Sequence, residues 1–206
     1  MVTILNREND TQDLDKILKE REYLDYINEH IQNVIMMYKE EFYPFLDPVN
    51  EDLIIPNEYF STEEFKNAIK ELSETIAEHD ESKYTDEEFN PYRRHFHPTL
   101  AEEMEEDQQS QLDAFQEAWK HHYMNNPHHP QYWYDEETQT SRDMNLRSII
   151  EMICDWDAMS YKFNQNTIEW YKTKADKEKK AMTERTRAIT ELILYKILKN
   201  PMHAHD

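Results

Sequence analysis

The sequence predicts an all-α protein, and three observations carry the prediction. Apolar residues recur at spacings of three and four along several long segments, which puts them on one face of a helix. No segment alternates apolar and polar residues convincingly enough to read as a strand. Glycine is absent from all 206 residues, so turns fall to Pro, Asn and Asp. A chain of this length suffices for one domain with a sizeable core, expected to span 1–206 with its core in 13–172.

The elements follow in order. From about Asp13 to Glu41, Leu14, Ile17, Leu18, Leu24, Ile27, Ile31, Val34, Ile35 and Tyr38 mark one long amphipathic helix. "FYPFLDPVNEDLIIPNEYF" mixes prolines with both polarities and reads as an irregular loop over the surface. Ser61 or Thr62, with a glutamate soon after, is an N-cap signal for a second helix, along which Phe65, Ile69, Leu72 and Ile76 share a face. "TDEEFNPYRRHFHP" reads as a short helix broken near Pro91 and Pro98. "LAEEMEEDQQSQLDAFQEAWKHHYMNN" reads as a helix with an acidic first half that stops at Pro127. A further helix from about Arg142 to Tyr171 carries Leu146, Ile149, Ile150, Ile153 and Trp156. The last, over 177–200, carries Ile189, Leu192, Ile193, Ile197 and Leu198, and leaves 201–206 as a flexible tail.

Composition excludes several function classes. Without glycine there is no P-loop, dinucleotide fingerprint or nucleophile elbow, since each needs backbone freedom that glycine supplies. A formal charge of −21 with no basic stripe disfavours stable nucleic-acid binding through phosphate neutralisation. A single cysteine, Cys154, permits no internal disulfide, and no apolar run approaches membrane-spanning length. A cytoplasmic protein is expected, in a host cytoplasm if the chain is viral.

Histidines and aspartates fall at inward positions on several helices. His30 follows Ile27 by three and precedes Val34 by four; His79 follows Ile76 by three and Leu72 by seven; Asp80 follows Ile76 by four. His122 follows Trp119 by three and Phe115 by seven, whereas His121 aligns with Ala118 and Ala114, so either can face inward. His128 and His129 follow the helix end, and Asp155 and Asp157 both fit an inward face. A lone histidine on an amphipathic helix is more often packed or exposed than a ligand. Burying several without partners is costly, however, and a metal would supply one. Imidazole with carboxylate suits Mn, Fe, Co, Ni or Zn, and the set suffices for one or two ions. The acidic runs Glu102–Asp107 and Asp135–Glu137 read as solvated faces, and Tyr132 and Trp133 as core or, less strongly, as a platform for a base.

The order H…HD…H…HH…D resembles the ligand signature of the HD-domain metal-dependent phosphohydrolase superfamily over roughly residues 20 to 172. His79-Asp80-Glu81-Ser82-Lys83 is similar to the HDxGK element of its two-metal phosphodiesterases, with Ser82 where those usually have glycine. More narrowly, "HDESKYTDEEFNPYRRHF", "AWKHHYMNNPHHPQYW" and "EMICDWDAM" look like an uncharacterised bacterial and phage family with an HD-SK, HH-N-HH-YW, DW pattern. The resemblance implies an HD-domain-like helical bundle around a metal site. Its ligands would be His30, His79, Asp80, His122, His128, His129 and Asp155, the last fitting the family's terminal element better than Asp157. It further implies that Asp80 bridges two metals (Mn, Fe, Co, Ni, Zn or Mg) and that Lys83 holds substrate phosphate or the attacking water.

The activity expected is a phosphomonoesterase or phosphodiesterase acting on a nucleotide or other small phosphate ester. Arg93 and Arg94 are weaker candidates for offsetting phosphoryl charge. An HD-fold di-iron oxygenase and a non-catalytic acidic binding protein are the alternatives, and a homo-oligomer is compatible with the C-terminal apolar stripe.

Overall fold

A computed structural model describes residues 7–54, 57–104 and 107–198. The chain is all-α, as expected, with one short two-stranded ribbon among the described residues. It divides into two compact units. One takes the chain to Glu29 together with Asp80–His122; the other takes His30–His79 and the chain from Tyr123 onward. The three crossings fall between Glu29 and His30, His79 and Asp80, and His122 and Tyr123, so every one adjoins a histidine singled out from the sequence.

α1 (Arg7–Met37) runs uninterrupted because it contains neither proline nor glycine. Its part in the first unit buries Tyr23 and Ile27 but leaves Leu14, Ile17 and Leu18 more than half exposed, so the apolar stripe expected there is not a core face. Leu14 and Leu18 instead line an open groove of about 660 Å³ with Leu100 and Met104, whose lining holds no histidine. α3 (Asp86–Phe96) passes through Pro91 rather than breaking there. The missing N–H removes one bond, to the Glu87 carbonyl, near the helix start. Burial of Glu88, Tyr92 and Arg93 on that helix holds it together.

The helix expected from Leu100 is divided. α4 (Leu100–Glu103) is closed by a Thr99–Glu102 capping box, and α5 (Gln108–Asn125) starts anew after Asp107. Glu102 is not a solvated acid: it takes two bonds from the Arg93 guanidinium, at 2.7 and 2.6 Å. Residues 105–106 of the acidic run lie outside the described residues.

The second unit holds the larger core. The first helix, expected to reach Glu41, gives way after Met37 to a π-turn (Tyr38–Phe42), and the stretch from Phe42, expected to wrap the surface, goes on as a 3-10 turn (Tyr43–Leu46), with Tyr38, Phe42 and Phe45 buried. Burying such side chains contributes about 1.5–3 kcal/mol each, which outweighs the irregular backbone that Pro44 and Pro48 impose. α2 (Thr62–Thr75) begins at a Ser61–Glu64 capping box and packs on α6 (Leu146–Lys162). Phe65, Ile69 and Leu72 of α2 meet Ile149, Ile150 and Ile153 of α6 in one buried cluster.

The long helices expected beyond Arg142 are each cut by a cap. Asn164 takes a positive φ of 50° after α6, and Asn166 caps α7 (Thr167–Lys174). α8 (Asp176–Ala181) is followed by Thr183, which caps α9 (Glu184–Leu192). β1 (Tyr134–Asp135) pairs antiparallel with β2 (Thr140–Ser141), a ribbon too short to show alternation. The expected helix residues 199–200 and the tail 201–206 lie outside the described residues.

Candidate metal centre

In the second unit, four elements bring polar side chains together. α1 supplies His30, the 3-10 turn after α2 (Ile76–Glu78) ends at His79, the turn after α5 supplies His128, and α6 supplies Glu151 and Asp155. Glu151 and Asp155 lie four apart and so share one face of α6. His30, His79 and His128 are each at most 3% exposed. The His30 Nε2 lies 3.1 Å from the Asp155 Oδ1, and the His79 Nε2 lies 4.0 Å from that same oxygen.

On the other side of the His79 ring, Nδ1 lies 3.1 Å from the Glu151 Oε1, and the Nδ1 of His128 lies 3.5 Å from it. The His79 and His128 rings are 4.4 Å apart between centroids. Burial alone would raise the Glu151 carboxyl, but bonds to His128 and His79 and their charge hold it well below the ordinary carboxylate value. It is therefore an ionised acceptor at neutral pH. Arg147 approaches its other oxygen at 3.5 Å and donates to the Thr75 hydroxyl at 2.6 Å.

The first unit has a matching arrangement. Asp80 takes φ 57° and ψ 22°, a left-handed conformation that Asp tolerates better than most residues. Its backbone carbonyl accepts the Lys83 N–H at 2.9 Å, which starts the 3-10 turn Glu81–Tyr84. The Lys83 ammonium donates to the Asp80 Oδ2 at 2.5 Å. Asp80 Oδ1 lies 3.3 Å from the His122 Nε2, while the His122 Nδ1 lies 2.8 Å from the Glu88 Oε2. Glu88 is fully buried and also meets the His121 Nδ1 at 2.7 Å. Burial would raise its carboxyl; His122, then His121 and Ser82, hold it below the ordinary value.

The donor set is compatible with a metal ion. Two ligand atoms about 2.1 Å from one ion stand about 3.0 Å apart at a right angle and about 3.4 Å apart at a tetrahedral angle. The His30–Asp155 and His122–Asp80 separations of 3.1 and 3.3 Å fall in that range, and the 4.0 Å of His79–Asp155 corresponds to a wider angle. One ligand atom each from His79, His128 and Glu151 also lies within 4.8 Å of the others. Buried carboxylates are stabilised by a nearby cation.

A family model described as a family of unknown function, DUF5662, matches residues 19–196. The chain belongs to DUF5662. No curated protein and no solved structure matches it. The matched span of this DUF5662 chain includes every candidate ligand from His30 to Asp155.

The expected site residues of the DUF5662 chain separate as follows. His122 is buried and faces Asp80, whereas the His121 side chain is 36% exposed and meets the other oxygen of Glu88. His128 is buried against Glu151; His129 is half-buried at the start of the 3-10 turn Pro130–Trp133, 4.3 Å from the His128 ring. Asp155 faces His30, while the fully buried Asp157 accepts the Thr167 hydroxyl and serves packing.

The weaker substrate candidates are mostly structural. Arg93 is 1% exposed and bound to Glu102, because a buried guanidinium needs a carboxylate. Arg94 lies 3.3 Å from the same carboxylate. Trp133 donates to the Pro127 carbonyl at 2.7 Å with the Arg142 guanidinium 5.6 Å from its ring centre, and Tyr132 packs against it at 5.2 Å. Sequence reasoning missed Glu88 and Glu151. The only available signal for Glu151 was its spacing of four before Asp155, and for Glu88 the same spacing before Tyr92.

Two further features limit the chemistry. The hydroxyls of Tyr23 and Tyr92 are buried, and burial followed by the charge of Glu88 raises both phenols far above neutral pH. Neither is a base. Burial, then Asp157 and Glu151, push the Cys154 thiol well above its ordinary value, which removes it as a nucleophile.

Proposed function

We propose that this protein is a metal-dependent phosphohydrolase, a phosphomonoesterase or phosphodiesterase acting on a nucleotide or another small phosphate ester. The observation that carries the reading is the pair of buried imidazole nitrogens, from His30 and His79, facing one Asp155 oxygen. The resemblance of its motif order to the HD-domain superfamily supplies the reaction class, and the protein would work in the cytoplasm. Bound divalent ions would polarise the phosphoryl oxygen and provide a hydroxide near neutral pH.

The chain's own residues perform the rest. His30, His79 and Asp155 would hold one ion, with the His128 ring beside that of His79. Asp80 and His122, whose Oδ1 and Nε2 stand 3.3 Å apart, would hold a second. Lys83, fixed by Asp80 with its side chain 13% exposed, offers a cation to phosphoryl oxygens as charge builds on them. Buried Arg93 takes no part in this reading.

The test is elemental analysis of native protein beside an Asp80→Asn variant, with phosphate or nucleoside release from a nucleotide panel in Mn, Co and Ni. Loss of metal and of release in the variant supports the reading. Native iron with dioxygen uptake and no phosphate release would replace it with an oxygenase. No stoichiometric metal in the native protein would sink it.

A further inference from the structure

We infer that Glu151 and Glu88 are positioning residues that fix the tautomer of the candidate ligand histidines, each by accepting Nδ1–H so that the lone pair sits on Nε2. The inference rests on the metal-centre reading above and extends it to two residues that do not touch the ion.

Each unit carries the same sequence of groups. In the second, Glu151 Oε1 meets the His79 Nδ1 at 3.1 Å, and the opposite nitrogen of that ring faces the Asp155 Oδ1 at 4.0 Å. In the first, Glu88 Oε2 meets the His122 Nδ1 at 2.8 Å, and the opposite nitrogen faces the Asp80 Oδ1 at 3.3 Å. Both glutamates are buried, at 6% and 0% exposure, and each takes a second histidine by the same nitrogen, His128 and His121 respectively. All four contacts use Nδ1.

A carboxylate only accepts, so the nitrogen in the shorter carboxylate contact, Nδ1 at 3.1 Å in His79 and at 2.8 Å in His122, carries the hydrogen. A neutral ring has one N–H, so Nε2 is left as the donor atom for a metal. Glu151 is within ligand distance of His79 and His128, but a metal there would have to lie on the Nδ1 side of both rings. His30 argues against that side, because its own Nε2 meets the Asp155 oxygen that the His79 Nε2 faces. The ion belongs on the Nε2 side, and Glu151 stands behind the ligand rather than beside the metal. Acceptors of this kind raise ligand basicity and hold ring orientation.

The experiment has two arms. Long-range proton–nitrogen NMR on the metal-free wild-type chain reads tautomers directly, and His79, His122 and His128 should all show Nδ1–H. Co²⁺ titration then compares wild type with Glu151→Gln, which keeps a neutral acceptor, and Glu151→Met, which keeps the volume without one. Affinity should fall about 10-fold in the first and about 100-fold in the second, with the number of ions bound unchanged. Glu88→Gln should weaken binding in the same way as Glu151→Gln.

Nε2–H tautomers in the wild type would overturn the inference, as would wild-type Co²⁺ affinity in Glu151→Met. Loss of a whole ion in Glu151→Gln would make Glu151 a ligand and overturn it as well. If the wild type binds no Co²⁺, the metal-centre reading fails while the NMR arm still decides the tautomers. That arm also needs no variant to fold.

Discussion

Replacing Glu102 by Gln should destabilise the protein by about 2–3 kcal/mol at pH 7, because it leaves the guanidinium of a 1%-exposed Arg93 without its counter-charge. The magnitude has a second source. Burial would raise the Glu102 carboxyl, but Arg93 and the Thr99 backbone N–H bring it from 4.5 down to about 2. At 1.36 kcal/mol per pH unit that gap is worth about 3 kcal/mol, reduced to about 2 kcal/mol because the side chain keeps some solvent access. The folded-state value is depressed, so this stability is fully present above pH 4.5 and is lost as pH falls toward 2.

Urea melts followed by circular dichroism, run for wild type and Glu102→Gln between pH 7 and pH 2.5, test this directly. The gap between the two proteins should be widest above pH 4.5 and should shrink below it. Other carboxylates titrate equally in both proteins and cancel. A double variant, Arg93→Met with Glu102→Leu, should recover most of the loss, since removing both charges leaves none buried alone. Equal midpoints and slopes at pH 7, or a gap that does not narrow with acid, would refute the assignment of Arg93 to structure and reopen its role at a substrate.

Asp80→Asn should keep the left-handed turn and lose metal, whereas Asp80→Ala should lose metal and about 1 kcal/mol of stability besides; metal analysis and melts read both. Asp155→Asn should lose the ion assigned to His30 and His79 with little change in stability. Asp157→Ala should do the reverse, costing about 1–3 kcal/mol through the stranded Thr167 hydroxyl while metal is retained, and identical behaviour of the two would refute the distinction. Ser82→Gly should destabilise slightly, by about 0.5–1 kcal/mol, because position 82 lies inside a 3-10 turn; a gain in stability would mean the strained position had been misplaced.

Periodicity located α2 and the inner half of α1 well, because a single apolar face decides both. It failed for Leu14, Ile17 and Leu18, since helical spacing reports which residues share a face and not whether anything packs on it. The breaks after α6 and α8 were hidden in ordinary residues, Asn164 and Thr183, whose capping bonds depend on the fold around them. His30 and His79 were legible because their inward register sets imidazoles among apolar positions, whereas register left Asp155 and Asp157 both open and only the motif resemblance chose between them. Glu88 and Glu151 were not, because in a chain with 44 acidic residues a buried glutamate looks like any other until its histidines are seen.

The left-handed residue of the His79-Asp80-Glu81-Ser82-Lys83 element is Asp80 itself, and the described residues with positive φ are otherwise Gln139 and Asn164. Glycine two positions after the aspartate is thus dispensable for this turn geometry. A pattern used to find similar proteins should free that position. It should instead require an acid four residues before the terminal aspartate and another eight residues after the first, where Glu151 and Glu88 stand. Such a pattern would retrieve glycine-free chains that a search anchored on HDxGK discards, and would sort them by the histidine-orienting acids rather than by the loop.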